Sequence, residues 1–215
     1  MNIDCLATGS TGNCYIVTDS QGRSVILDCG IKFQEITHHK AFPKFINIDF
    51  VFVSHSHSDH NKALNDFKKT GCEIVSYETL QNKVQNWKFG NWECITFPLP
   101  HNVPNWGIVI ASEVTKEKLC YLTDFISAPK VEGVDYWLYE VNYIERFIDQ
   151  MIDEDKDLRH LGFNNHNSLE NAVEYFNTIK TRPKKIFCCH SSGSHSIKKV
   201  VKEDLEPFAD EVIVL

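Results

Sequence analysis

Short apolar runs separated by turn residues fill the first quarter of the chain. Residues 3–6, 14–18 and 24–27 read as strands divided by the turn-rich segments GSTGN and DSQGR, which predicts a β-meander. Residues 31–45 read as a loop with a short helix, leaving His38 and His39 exposed. Residues 49–54, DFVFVS, form a more continuous apolar run and predict a buried strand. Beyond it the pattern alternates: helix 62–69, strand 73–76, helix 77–85 and strand 92–97. A strand resumes at Gly107, and further strands are expected over 118–124 and 134–141. Residues 143–152 are amphipathic. Leu169, Ala172, Val173, Phe176 and Ile179 fall at helical spacing behind Ser168, so a helix is expected over 169–179. Residues 185–189, KIFCC, predict the last buried strand, 195–202 a short basic helix, and 211–215 a final strand. Strands alternating with helices in this way indicate an α/β chain.

Chemistry concentrates where the apolar run 49–54 stops. It is followed at once by His55, His57, Asp59 and His60, within SHSHSDHN. His55 and His57 stand two apart in extended backbone and project to the same side, while Asp59 and His60 fall on the turn opening the next helix. Two imidazoles can thus hold one ion while a carboxylate and a third imidazole hold a neighbour. Imidazole with carboxylate suits zinc, manganese or iron better than calcium or magnesium. His101, flanked by prolines in FPLPHNVPN, is a further imidazole on a rigid strand-end loop. The Gly-rich turn GSTGN could place backbone N–H groups near an anion, but a hairpin loop is the simpler reading.

The run HSHSDH resembles the H-x-H-x-D-H signature of the metallo-β-lactamase superfamily. The resemblance implies an α+β architecture, a four-layer αββα sandwich with the metals at one edge, in one domain over 1–215 with no inserted cap. The remaining ligands are then expected at later strand ends. His101 joins His55 and His57 on one ion, and His190, ending KIFCCH, joins Asp59 and His60 on the other. Asp124, ending KLCYLTD, is the carboxylate expected to bridge them. Asp28, ending LDCG, is expected behind the ligands, orienting an imidazole.

HNSLENA, opening with His166, is similar to the extra histidine motif of the ribonuclease Z and WalJ/YycJ-like branch, in which such a histidine faces the phosphate leaving group. GSTGN, PHNVPNWG, YLTD, YEVN and CHSS resemble the same branch in order, with departures at Asn165, Phe125 and Ile126. Only 41 residues separate Asp124 from His166, too few for the cap domain of larger relatives.

Composition adjusts this picture at three points. The net charge is −7, which argues against coating nucleic acid by charge alone. Charge is nonetheless uneven: residues 149–157 are acidic, and 180–202 carry seven Lys or Arg around His190, where they would hold phosphates. The eight cysteines form no C-x-x-C pair, and neither an 18-residue apolar run nor a signal segment is visible, so a cytoplasmic protein with reduced thiols and no membrane contact is expected.

Two ions about 3.5 to 4 Å apart can hold a hydroxide and stabilise attacking and leaving oxygens, which is hydrolytic chemistry. A departing alkoxide needs a proton, and an imidazole of ordinary pKa can give it. The expectation is therefore a phosphodiesterase, a nuclease on DNA or RNA, using two divalent ions, zinc or else manganese, with His166, Asp59 and Asp124 as catalytic residues. A cyclic nucleotide phosphodiesterase is the first alternative, and a thioester or lactam hydrolase, which has no use for His166, the second. Whether the chain forms a homodimer is left open.

Overall fold

Period-two alternation along the strands sorts apolar side chains to opposite faces, and those faces assemble the layers. The computed structural model describes residues 1–147, 165–190 and 195–215. The first sheet contains β1 (Asn2–Ala7), β2 (Cys14–Thr18), β3 (Ser24–Leu27), β4 (Ile48–Val53) and β5 (Ile74–Ser76), in spatial as well as chain order. β1 to β3 are antiparallel, as the meander pattern predicts, and β3 to β5 are parallel. On the outer face of this sheet lie α1 (Phe33–Thr37), α2 (Ser58–Asn61) and α3 (Leu64–Thr70).

The second sheet has an antiparallel half, β6 (Gln85–Phe89), β7 (Trp92–Leu99), β8 (Asn105–Ser112) and β9 (Lys118–Leu122). Its parallel half continues from β9 through β10 (Tyr136–Glu140) and β11 (Lys185–Cys189) to β12 (Glu211–Val214). The helices α4 (Leu169–Thr178) and α5 (His195–Leu205) cover its outer face.

Tyr15, Val17, Leu27, Phe50 and Phe52 of the first sheet meet Trp92, Ile108, Tyr121 and Leu138 of the second between the layers. The alternate residues Ile16, Ile26, Val51 and Val53 pack outward on Ile36, Leu64 and Phe67 of the helices. Trp137, Tyr139 and Ile186 pack outward on Leu169, Ala172, Phe176, Val201 and Leu205. This is the expected αββα sandwich. No helix among the described residues is long and apolar enough to cross a membrane.

Three local expectations are corrected. Residues 77–85 form turns rather than a helix, and β6 pairs there with β7, because Trp87 and Phe89 alternate with Asn86 and Lys88 at strand spacing and Trp87 and Phe89 are drawn onto the inter-sheet core. The helix expected over 62–69 begins earlier and breaks at Ala63, giving α2 and α3. Arg182, Lys184 and Lys185 do not surround His190: they lie at the opposite end of β11. Lys184 pairs there with Glu117 at 2.9 Å, Lys185 with Glu211 at 2.6 Å and Arg182 with Asp210 at 2.9 Å. The acidic run 149–157 and the end of the amphipathic segment, 148–152, lie outside the described residues.

Candidate metal centre

Strand direction gathers the polar residues at one edge, since β3, β4, β9, β10 and β11 all end there and open α/β sheets present their sites at carboxyl ends. Asp28 follows β3, His55 follows β4, Asp124 follows β9, Glu140 ends β10 and His190 follows β11. Asp28, Asp124 and His190 have φ of 56°, 51° and 55°. Left-handed backbone at three non-glycine strand ends is strain held by surrounding contacts, and it turns each side chain sharply into the site.

His55, His57, His101 and Asp124 form one cluster whose ligand atoms lie within 4.8 Å of one another. Asp59, His60 and His190 form a second on the same criterion. Asp124 stands between them. Its Oδ2 is 3.4 Å from His55 Nε2 and 3.8 Å from His101 Nε2. Its Oδ1 is 3.5 Å from His60 Nε2 and 3.7 Å from His190 Nε2. The structure thus brings together all seven residues singled out in the sequence, and Asp124 and His190 also group with Glu140 and His166.

Groups behind the imidazoles decide which nitrogen faces inward. Asp28 is fully buried and accepts from Ser54 N at 2.7 Å, Ser54 Oγ at 2.9 Å, Tyr121 OH at 2.6 Å and His60 Nδ1 at 2.5 Å. Ser54 Oγ, its proton given to Asp28, accepts from His55 Nδ1 at 2.9 Å. His101 Nδ1 donates to the Asn165 carbonyl at 3.0 Å. His55, His60 and His101 therefore present unprotonated Nε2 atoms to the site when neutral. His55 Nε2 and His101 Nε2 lie 3.0 and 3.4 Å from His57 Nδ1. One N–H on His57 can serve only one of them, so lone pairs face one another without a donor. Such a donor set calls for a cation, and its chemistry fits a divalent transition metal.

Electrostatics agree. Burial lowers His55 below the ordinary imidazole range and takes His101 down to about 4, keeping both in the neutral, ligand-ready form. Burial opposes charge on His60 too, but Asp28 and Asp124 outweigh it and raise that imidazole to about 10. His190 is also raised, with burial overcome by Asp59, Glu140 and Asp124. Without a metal, then, protons supply the positive charge that the convergent carboxylates require.

His166 lies beside both clusters, its ring centroid 5.8 Å from that of His101 and 5.4 Å from that of His190. Ser168 caps α4 by accepting from Asn171 N at 3.1 Å, which places His166 just before the helix. The sequence reading passed over its partner. Glu140, fully buried, accepts from His166 Nδ1 at 2.6 Å through Oε1, which also lies 3.3 Å from His190 Nδ1. Its Oε2 accepts from Phe125 N at 3.1 Å and Asn167 N at 3.4 Å. Burial disfavours charge on His166, but Glu140 more than offsets this and raises it. The sequence signals for Glu140 were an acid closing an apolar strand and the place of YEVN among the segments resembling the ribonuclease Z and WalJ/YycJ-like branch, neither of which pointed to His166. Asn13 was likewise missed. The GSTGN turn is a hairpin loop, and Asn13 N donates to the Asp59 carbonyl at 2.7 Å, tying that turn to α2.

The class of protein is now defined by fold and site together. The sequence profile of the metallo-beta-lactamase superfamily matches residues 7–138, and the chain belongs to that superfamily, whose hydrolase fold it has. No curated protein matches the chain in sequence. Among solved structures, the short form of human tRNase Z (ELAC1) is similar with a TM-score of 0.66 at 16% identity, covering 100% of this chain and 96% of that one. YhfI of Bacillus subtilis, a metallo-beta-lactamase fold protein, gives 0.69 at 15% identity, covering 99% and 95%. CmlA, a diiron beta-hydroxylase of Streptomyces venezuelae, gives 0.58 at 10% identity, covering 97% and 52%. These likenesses show a shared fold, on which different chemistries are carried.

Proposed function

We propose that the chain is a dinuclear metal-dependent phosphodiesterase, a nuclease acting on DNA or RNA, with His166 as general acid. The observation that carries this reading is the Glu140–His166 pair beside the two clusters. A hydrolase of thioesters or lactams has no use for it. The tRNase named among the similar structures is consistent with the same reading.

His55, His57 and His101 would hold one ion, Asp59, His60 and His190 the other, with Asp124 shared. Two divalent ions, zinc or manganese, would supply an activated water and neutralise charge on the phosphoryl oxygens. The protein's own part is proton transfer and orientation. Glu140 Oε1 accepts a hydrogen bond from His166 Nδ1, which fixes the ring and stabilises its charged form, so Nε2 is the nitrogen that gives a proton to the departing alkoxide. Asp59 and Asp124 are the catalytic carboxylates alongside.

A small nucleotide, including a cyclic one, is the second reading. It is favoured because Arg182, Lys184 and Lys185 lie away from the site and are paired with carboxylates. A substrate with few phosphates needs less cationic surface.

The test is hydrolysis of end-labelled DNA and RNA, cyclic nucleotides and an activated aryl phosphodiester by metal-loaded wild type and His166→Ala. The substitution should lower kcat on the natural ester roughly 10²- to 10⁴-fold and spare the aryl ester, whose leaving group needs no proton. Metal-loaded wild type that cleaves none of these substrates would refute the proposal.

A further inference from the structure

Asp124 can serve two clusters only if its backbone stays in a conformation that L residues rarely adopt, at φ 51°. The Thr123 hydroxyl donates to the carboxylate at Asp124 Oδ1, 2.9 Å away, while the backbone of 123 and 124 is bonded by an asparagine side chain. β8 and β9 pair antiparallel with Ile108 opposite Tyr121, and the last β9 residue is Leu122. Continued, that register would set Asn105 opposite Asp124. The ladder has ended by then, and the backbone of 123 and 124 peels away toward the site. Their carbonyls lose the partners a continued strand would offer. Asn105, 1% exposed, replaces them: its Nδ2 donates to the Thr123 carbonyl at 2.8 Å and to the Asp124 carbonyl at 2.6 Å.

The geometry points to Asn105 as the positioning residue of the shared carboxylate: its amide stands in for the missing β-ladder and pins Asp124 in the left-handed conformation from which one oxygen faces each histidine cluster. The side-chain chemistry is restrictive. Two N–H donors on one short arm are needed. An isosteric aspartate would turn an acceptor on two carbonyls, and a glutamine carries its amide one carbon too far. The other end of the same amide, Oδ1, is buried and has no hydrogen-bond partner among the described residues. A buried polar atom left unpaired is rare and costly, which is expected where a residue is kept for the placement of another group and not for its own stability. A similar device holds the third left-handed site residue, since Asn142 Nδ2 donates to the His190 carbonyl at 3.0 Å.

This inference rests on the metal reading of the site and not on the identity of the substrate, so its test is metal uptake. Wild type, Asn105→Ala and Asn105→Ser are stripped and titrated with zinc by calorimetry and chelator competition, with melting curves for the stripped and loaded forms. Asn105→Ala should lose the second equivalent of zinc or bind it about 10- to 100-fold more weakly, the scale seen when groups behind metal ligands are removed. Asn105→Ser, with one donor, should fall between. In an Asp124→Ala background the same Asn105→Ala change should alter zinc affinity less than about twofold, because a residue acting through Asp124 has nothing left to position. Cobalt-loaded Asn105→Ala should show an altered ligand-field spectrum. Two equivalents bound at wild-type affinity by Asn105→Ala, or an equal affinity loss with and without Asp124, would overturn the assignment. A wild type that takes up no divalent ion would overturn the metal reading itself and this inference with it.

Discussion

Glu140 spends one carboxylate on two tasks, and that coupling is testable residue by residue. Oε1 faces both His166 Nδ1 and His190 Nδ1, while Oε2 accepts from two backbone amides, so the group has no spare capacity. Glu140→Gln keeps the shape and removes the charge. His166 should then fall toward its ordinary pKa, and the alkaline branch of the phosphodiesterase pH–rate profile on natural esters, where the general acid loses its proton, should move to lower pH with it. We expect roughly a 10- to 100-fold loss of activity at neutral pH, the scale for groups behind catalytic or metal-binding imidazoles. An unchanged profile would show that His166 does not depend on this carboxylate.

At the scale of elements, α2 is a four-residue helix that could not persist alone, and it is fixed from outside. Asn13 N donates to the Asp59 carbonyl at 2.7 Å and Cys29 N to the His60 carbonyl at 2.8 Å. Gly30 packs so closely beneath it that an added Cβ would lie 1.6 Å from the Asp59 carbonyl oxygen. The contact is backbone, with no flexible side chain to give way. Gly30→Ala should therefore displace Asp59 and His60 together, lowering the melting temperature and abolishing binding at their metal position while the other cluster keeps its ion. Titration of zinc into the variant, giving one equivalent instead of two, checks this.

At the scale of the whole molecule, the site is a concentration of negative charge that the fold must neutralise. In the metal-free protein His60, raised to about 10, contributes stability that is fully present below its unfolded pKa near 6.5. That contribution is lost as pH rises from there through 10. Bound metal replaces those protons, so the loaded protein should not show this alkaline decline. Thermal melts across pH 6 to 10, with and without chelator, should diverge as pH rises. Zinc uptake should also release protons, measurable as a dependence of the calorimetric heat on buffer ionisation. Coincident melts would mean that no metal binds.

Periodicity in the sequence by itself determined the strands with continuous or alternating apolar residues and the α/β class, and it bunched His55, His57, Asp59 and His60 at one strand end. The αββα layering and the places of His101, Asp124 and His190 were legible only through the resemblance of HSHSDH to the superfamily signature. Tertiary structure decided what depends on position in space. The stretch 77–85 became turns and an edge strand because Trp87 and Phe89 were drawn onto the inter-sheet core. Lys184 and Lys185 flank His190 in the sequence but lie a strand's length away, since β11 separates them. Glu140 reads in sequence as one acid among many, and only the parallel pairing of β10 with β11 puts it beside His190 and in reach of His166. Asn105 reads as a loop residue, and its role arises where a β-ladder ends one step too soon. A chain pattern records which face a residue prefers, whereas hydrogen bonds between residues far apart in the chain exist only once the strands have chosen their neighbours.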